Sequence, residues 1–182
     1  MSLPDWLGPL PGAAEQRALD EWAIGERGIP GLDLMERAGE GLTNLVCELA
    51  PTGTIAVVCG KGNNGGDGLV AARLLRVLGR DVRVLLLAAP EELRGDARTN
   101  CERLPGAPPE RFDSAALSGV DAIVDAILGT GFSGEPRDPV ATAIAAMNAA
   151  AGAGAVVVAC DVPSGVDGST GEIAGHASES RR

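Results

Sequence analysis

The sequence is poor in aromatic residues and in histidine. It has no tyrosine, two phenylalanines and two tryptophans, so a buried core must be built from aliphatic side chains. A single histidine excludes a zinc site made from a histidine cluster. The four cysteines are widely spaced and form no C-x-x-C motif, which excludes a disulfide scaffold and predicts reduced thiols at Cys47, Cys59, Cys101 and Cys160.

Positive charge and long apolar runs are also scarce. Lys and Arg number 15 against 25 Asp and Glu, giving a net charge of −10, which argues against a nucleic-acid-binding surface. No apolar run approaches the roughly 20 residues of a membrane span, and no signal-peptide pattern opens the sequence. We therefore expect a cytoplasmic protein that binds neither nucleic acid nor membranes. An anionic ligand would have to be held by local backbone groups.

Apolar segments alternate with helical patterns along most of the chain. The sequence predicts five helices, over 13–27, 33–50, 66–79, 91–103 and 140–151, the second beginning at Asp33. It predicts four strands, over 54–59, 81–88, 120–128 and 154–162. Strands of continuous apolar residues between helices predict an α/β fold with a mainly parallel sheet covered on both faces. The length of 182 residues fits one folded domain, predicted over 12–182 after a flexible segment 1–11.

The stretch GKGNNGGDG, residues 60–68, contains the G-x-G-x-x-G pattern of dinucleotide-binding loops. Two features disfavour a hydride-transferring NAD enzyme. The next strand lacks an acidic residue at its end, and Asp67, in the predicted first turn of the following helix, would repel a pyrophosphate there. A kinase-type phosphate loop is excluded because Lys61 precedes the second pair of glycines instead of following it.

Oxygen-bearing side chains follow or end several predicted strands. Because the carboxyl ends of parallel strands meet at one edge of a sheet, we expect these side chains to converge. Hard oxygen ligands suit a hard cation, and few full charges among them favour a monovalent one. Two alternatives stay open, namely that the asparagines are turn residues and that Asp161 caps a helix. The residues are Asn63, Asn64, Asp67, Asp125, Asp161 and Ser164.

Among these residues, Asp125 is the hardest to explain by a purely structural role. It lies within an apolar strand, where an unpartnered carboxylate would cost several kcal/mol. A carboxylate in that place requires a partner, and a bound cation would be one.

Four motifs together resemble the YjeF N-terminal domain family: GKGNNGGDG, VDAILGTGFSGE, DVPSGVDGSTGE and, upstream, LMERAG. The resemblance extends over residues 12–175. It implies a Rossmann-like three-layer αβα sandwich and NAD(P)H-hydrate epimerase activity, an isomerase that interconverts the R and S forms of the damaged cofactors NADHX and NADPHX as metabolite repair. It also implies one bound potassium ion. The family includes non-catalytic scaffold domains, so a nucleotide-ligand-binding or scaffold role is the alternative.

The resemblance also implies roles for individual residues. Asn64, Asp125 and Ser164 would ligate potassium, and the loop from Gly129 to Glu135 would hold the substrate's phosphates through backbone amides. The implied substrate contacts are Asn63, Asn64, Gly65, Gly66, Asp67, Gly129, Thr130, Gly131, Phe132, Ser133, Gly134, Glu135 and Asp161.

The chemistry of the implied substrate requires an acid–base group. A hydroxyl on C6 beside the ring nitrogen leaves as water once it is protonated, and water adds to the other face of the resulting iminium ion. Histidine is not available, so we expect a carboxylate with a pKa raised by burial, Asp161 first and Asp67 second.

The sequence departs from the family at its C-terminal end. The family domain continues through further strands after the DVPSG motif. Here the corresponding sequence is GEIAGHASESRR, which has no strand pattern. The resemblance therefore predicts a domain without its last strands and with an exposed sheet edge. A homodimer is expected on the same ground. A fused or partner ATP- or ADP-dependent NAD(P)H-hydrate dehydratase is the partner that the family implies.

Overall fold

The computed structural model describes residues 11–180, so the predicted flexible segment 1–11 lies, apart from Pro11, outside the described residues. Short 3₁₀ turns at Pro90–Glu92 and Ser114–Leu117 connect some of the regular elements. In chain order the regular elements are α1 (Ala13–Gly25), α2 (Gly31–Leu49), β1 (Thr54–Cys59), α3 (Asn63–Val77), β2 (Asp81–Leu86), α4 (Gly95–Glu102), β3 (Glu110–Arg111), β4 (Ala122–Ala126), α5 (Val140–Gly152) and β5 (Val156–Ala159).

The five strands form one parallel sheet in the order β3-β2-β1-β4-β5. Helices α2, α3 and α4 pack together on one face, and α5 with the turn at Ser114–Leu117 covers the other. The predicted three-layer αβα sandwich with a parallel sheet is confirmed. Within residues 11–180, no helix is long and apolar enough to cross a membrane.

The central strand β1 shows why the sheet is buried on both faces. Its side chains alternate, so Ile55, Val57 and Cys59 belong to the core under α2 and α3, while Ala56 and Val58 belong to the core under α5. All five residues are fully buried. A strand with apolar residues at every position is what a sheet covered by helices on both sides requires.

The strand β3 was missed by the sequence interpretation, which predicts no strand between 88 and 120. It is two residues long, and both Glu110 and Arg111 are exposed, so it carries no apolar signal. It exists because its backbone pairs with Leu85 and Leu86 of β2. Strand β1 has the predicted bounds, whereas β2, β4 and β5 are present but shorter than predicted, since the chain leaves the sheet before their apolar runs end.

Two helices begin earlier than predicted. Helix α2 begins at Gly31 after Pro30 rather than at Asp33. Helix α3 begins at Asn63, so Asp67 lies beyond the first turn, and the predicted placement in the first turn is wrong. The repulsion expected between Asp67 and an anion at the helix start is correspondingly weaker, because the effect of the helix end fades within one turn.

Helix α4 is also shorter than predicted. The 3₁₀ turn at Pro90–Glu92 and an extended Leu93 separate it from the end of β2, so it covers Gly95–Glu102. The helix at 13–27 ends earlier too, at Gly25.

Helices α2 and α3 are held closely together by Gly39 of α2. A Cβ atom at Gly39 would lie 2.3 Å from Val70 Cγ1 and 3.2 Å from the backbone nitrogen of Ala71. No such atom fits without a shift of α3. Gly41, two residues further along the same helix, has nothing within 4 Å of that position.

These two glycines provide a matched test of the packing. We expect Gly39→Ala to lower the free energy of unfolding by about 1–3 kcal/mol because of the overlap with Val70. Gly41→Ala should raise it by about 0.5–1 kcal/mol, because alanine is the better helix former at an open position. Urea unfolding followed by circular dichroism measures both. Equal effects of the two substitutions would contradict the packing described here.

Candidate functional site

The site lies where the chain order of the strands reverses. From β1 the chain passes to α3 on one face, and from the adjacent β4 it passes to α5 on the other, so the two following loops diverge and leave a crevice. The glycines of the first loop let backbones meet there. A Cβ atom at Gly60 would lie 2.2 Å from the Ile127 carbonyl oxygen, and one at Gly65 would lie 2.0 Å from the Gly60 oxygen.

Asn64 opens into this crevice from the first turn of α3. It is 8% exposed, and neither its Nδ2 nor its Oδ1 atom has a hydrogen-bond partner. No residue other than glycine has a positive φ within residues 11–180, so the interpretation of the asparagines as left-handed turn residues is wrong. A buried amide with both atoms unpaired requires a water molecule, an ion or a ligand to complete its bonding.

Gly129 brings Asn64 and Asp161 together. A Cβ atom at Gly129 would lie 2.5 Å from Asp161 Oδ2 and 3.2 Å from Asn64 Cβ, so only glycine fits between them. The three residues come from α3, the loop after β4 and the loop after β5. No helix begins after Asp161 in the described part of the chain, so the helix-cap alternative for this residue is wrong.

Asp125 is fully buried at the end of β4, and its carboxylate is satisfied by the protein. Oδ2 accepts from the Ser164 amide at 2.8 Å and from the Ser178 hydroxyl, and Oδ1 accepts from the Ser164 hydroxyl at 2.5 Å and the Ile127 amide at 3.3 Å. Burial raises the pKa of Asp125, and the bonds from Ser164, Ser178 and Ile127 oppose the rise. The predicted need for partners is met by serines and amides.

Ser178 is a site residue that the sequence interpretation missed. Its amide donates to the Ser164 carbonyl at 2.9 Å, and Asn148 of α5 bonds the residues on either side, Ala177 and Glu179. These contacts fold the described end of the chain back over Asp125. A lone serine in a polar stretch gives no sequence signal, because only the folded chain brings it to the carboxylate.

Asp67 and Asp161 lie close together, with carboxylate oxygens within 4.8 Å of one another and of the Cys160 sulfur. Burial, with the charges of Asp161 and Asp20, raises the pKa of Asp67 to about 7. The pKa of Asp161 is also raised, first by the desolvation of its carboxyl group, but the residue is more exposed and a Thr130 amide opposes the rise. The pair therefore retains one proton near neutral pH, mainly on Asp67.

The same three side chains are a poor metal site. Burial raises the pKa of the Cys160 thiol above its usual range, so the sulfur stays protonated and is a weak ligand. A metal would also have to displace the proton that the two carboxyls retain. The arrangement suits proton transfer better than metal binding.

The loop from Gly129 to Glu135 forms the rim of the crevice. It begins with a turn in which the Phe132 amide donates to the Gly129 carbonyl at 3.1 Å, and Gly134 has a φ of +87°. Gly168 packs against Thr130, with its Cβ position 2.9 Å from the Thr130 Cα. The loop is therefore fixed between Asp161 and the segment that follows β5.

Asn64, Gly129 and Asp161 thus meet at the switch point of a doubly wound α/β domain, which is the place where such domains carry their ligand crevice. Residues 31–181 match the family model described as YjeF-related protein N-terminus, and the chain belongs to this family. The resemblance seen in the sequence motifs is thereby confirmed.

Named relatives cover most of the chain. It is 40% identical over 162 residues to an NAD(P)H-hydrate epimerase of Rhodopirellula baltica, covering 86% of this chain and 65% of that protein. It is 41% identical over 172 residues to a bifunctional NAD(P)H-hydrate repair enzyme Nnr of Thermofilum pendens, covering 89% of this chain and 32% of that protein. The crystal structure of yeast ynu0 superimposes with a TM-score of 0.77 at 26% identity, covering 88% of this chain and 72% of that one.

The chain thus spans less than two thirds of the first two of these relatives. The predicted absence of the family's last strands stays a prediction. The described residues do show β5 at an edge of the sheet, paired only with β4.

The raised pKa of Asp67 predicts how stability depends on pH. The folded protein holds this proton up to about pH 7, whereas an unfolded aspartate loses it near 3.8. The group therefore favours the folded state at low pH, and this contribution is lost as the pH rises from about 3.8 to about 7. We expect Asp67→Asn to raise the free energy of unfolding at pH 8 by about 1–3 kcal/mol and to leave it unchanged at pH 3.

Urea unfolding at the two pH values measures this effect. The control is Glu40→Gln, which changes an exposed carboxyl on α2 and should show no such difference. A pH-independent effect of Asp67→Asn would contradict the raised pKa.

Proposed function

We propose that this protein is an NAD(P)H-hydrate epimerase that interconverts the R and S forms of NADHX and NADPHX. Membership of the family and the names of relatives about 40% identical over most of the chain support this activity. The observation that carries the proposal is the pair Asp67 and Asp161 beside the unpaired amide of Asn64. Two carboxyls sharing a proton in a crevice are what reversible loss and addition of water require.

The reaction begins with breakage of the C6–O bond. Asp67, the more buried carboxyl, donates its proton to the C6 hydroxyl, which leaves as water while the ring nitrogen supplies the electron pair of an N1=C6 iminium. A water molecule then adds to the opposite face of C6, and Asp161 accepts its proton. The epimer has the same atoms as the substrate, and the pair again holds one proton.

The reverse reaction uses the same two groups with their roles exchanged. This requires that either carboxyl can hold the single proton, which is the behaviour of a closely coupled pair. The greater exposure of Asp161 favours its ionised form, and the burial of Asp67 favours its protonated form. The sequence led to the expectation of one acid–base carboxylate, Asp161 first and Asp67 second; we propose instead a pair, with Asp161 as the base and Asp67 as the acid.

The rest of the substrate extends along the loop from Gly129 to Glu135. We infer that its backbone amides hold the two phosphates, since the loop carries no lysine or arginine. The amide of Asn64 contacts the hydrated ring, where its unpaired Nδ2 donor finds a partner. Asn63, Gly65 and Gly66 surround it at the start of α3.

The activity is tested by coupling the protein to a dehydratase that consumes only S-NADHX, starting from pure R-NADHX. We expect NADH to form faster than spontaneous epimerisation allows, and Asp161→Asn to lower the epimerisation rate by roughly 10²–10⁴-fold with substrate binding intact. A protein that binds NADHX but gives only the spontaneous rate would instead be a scaffold or ligand-binding domain of the same fold.

We also propose that one potassium ion binds at Asn64, Asp125 and Ser164. The donors are oxygens with one full charge, which suits a large monovalent cation. The unpaired Oδ1 of Asn64 fits such an ion. Asp125 would supply the negative charge, although its oxygens already accept four hydrogen bonds. Coordination of the ion by Asp125 therefore requires a serine hydroxyl to turn away from the carboxylate. The ion would orient these loops.

A bound potassium ion should stabilise the folded state by RT ln(1 + [K⁺]/Kd). We expect KCl to raise the melting temperature more than LiCl at equal ionic strength. Asn64→Ala should abolish this difference at little cost to stability, because the side chain has no bond to lose within the protein. Asp125→Ala should abolish it as well, and should destabilise the protein strongly by unpairing Ser164 and Ser178. Equal effects of the two salts on the unaltered protein would indicate screening alone.

The partners remain proposals. The bifunctional name of the Thermofilum pendens relative supports an association with an NAD(P)H-hydrate dehydratase, as a fused or a separate ATP- or ADP-dependent enzyme. The edge strand β5 supports a homodimer, since its outer side has no partner strand within residues 11–180. A cytoplasmic location is proposed, supported by the four free cysteines, which suit a reducing compartment.

A further inference from the structure

A second cavity opens at the same edge of the sheet, beyond the ends of β2 and β3. Its volume is about 410 Å³, and it lies between these strand ends and the start of α5. None of its lining residues belongs to the site described above. Its walls combine apolar and polar side chains. They include Leu87, Arg111, Phe112, Asp113, Asp138 and Pro139.

The cavity is connected to the candidate site by the chain itself. The loop from Gly129 to Glu135 borders Asp161 at one end and continues directly to Asp138 and Pro139, which line the cavity. Across the sheet, the cavity and the site are separated by two to three strand spacings, roughly 10–14 Å. A ligand held at both ends would therefore have its middle along this loop.

The polar groups of the cavity retain free bonding capacity. Arg111 takes part in none of the ion pairs or side-chain hydrogen bonds found among residues 11–180. Asp113 accepts from the Ala115 amide at 2.9 Å, and Asp138 accepts from Thr142, so both carboxylates are fixed in place and keep acceptor positions. Carboxylates at a strand end bind ribose hydroxyls, and a nearby arginine binds a phosphate on that ribose.

The apolar part suits a flat heteroaromatic ring. Phe112 directly follows β3 and is half-buried, and Leu87 and Pro139 stand on the other walls. The sequence shows no acidic residue at the end of β2, and for this reason it does not suggest a ribose site. The structure supplies one from β3, the short strand that the sequence does not reveal.

We propose that this cavity binds the adenosine half of the substrate, with the adenine against Phe112, the ribose at Asp113 and Asp138, and a ribose phosphate at Arg111. This rests on the proposed epimerase function, since it assigns the remote half of the same substrate. The two carboxyls at Asp67 and Asp161 receive the hydrated ring, and the loop from Gly129 to Glu135 lies under the two phosphates between them. Remote binding of this kind orients the reacting ring.

The first measurement is direct binding of 5′-AMP, which contains neither the hydrated ring nor the second phosphate. Titration calorimetry should show binding to the unaltered protein. Ser114→Trp, which fills the cavity from the exposed turn after Asp113, should weaken it by about tenfold or more. Arg111→Gln should weaken binding of 2′-phosphorylated AMP more than that of 5′-AMP. The matched control is Arg103→Gln, which removes the same charge from an exposed position outside the cavity.

The second measurement is turnover of a truncated substrate, hydrated reduced nicotinamide mononucleotide. The unaltered protein should prefer NADHX over it in kcat/KM, and Ser114→Trp should reduce that preference by about tenfold. Arg103→Gln should retain it. Melting temperatures confirm that each variant is folded.

The outcomes separate this inference from the proposed function. Epimerisation of both substrates with equal efficiency, without AMP binding, would overturn the cavity assignment and leave the epimerase function standing. AMP binding that Ser114→Trp removes, in a protein without epimerase activity, would support the cavity and overturn the function. AMP binding that Ser114→Trp leaves unchanged would place the nucleotide elsewhere and overturn the assignment.

Discussion

The buried carboxylate of Asp125 is the interaction on which the site depends. It joins the end of β4 to the loop after β5 through Ser164 and to the end of the described chain through Ser178. A carboxyl group with no exposed surface is tolerated because four donors point at it. Removing it would leave two serine hydroxyls and two backbone amides without this acceptor, and the loop that presents Asp161 would lose its attachment.

That attachment allows two carboxyls to be held close together in different environments. Asp67 is carried by a helix whose start is closely packed, since Gly65 meets the Gly60 carbonyl and Gly66 meets Met35. Asp161 is carried by a loop and is open to solvent on one side. In the proposed mechanism the difference in exposure, rather than any difference in residue type, would separate the proton donor from the proton acceptor.

Much of the fold could be predicted from the sequence because its strands are continuous apolar runs. The exception, β3, has two exposed charged residues and is specified only by its pairing with β2. The helix start at Asn63 was misplaced because glycines are weak helix formers, so the sequence favours a turn where close packing against Gly60 and Met35 selects a helix.

The sequence predicts those features of the candidate site that follow from the chemistry of a residue type. It does not predict those that depend on which residues the fold brings into contact. Asp125 had to have partners because a charge in an apolar strand is costly, and this held whatever the partners were. That Ser178 would be one of them depends on how the chain returns over β4. The convergence of Asn64, Gly129 and Asp161 follows from parallel strands ending at one edge, whereas the distance between Asp67 and Asp161 follows from the packing of α3.

The charge distribution of the site is consistent with the proposed substrate as a whole. A protein of net charge −10 that also concentrates aspartates in its crevice would repel phosphates there. The hydrated nicotinamide ring is uncharged, however, and it becomes a cation when water leaves. An ionised Asp161 beside that ring stabilises the iminium more than the neutral substrate, which is the condition for accelerating the reaction. The acidic crevice therefore suits the reacting end of the proposed substrate, whose phosphates would lie along the backbone amides of the neighbouring loop.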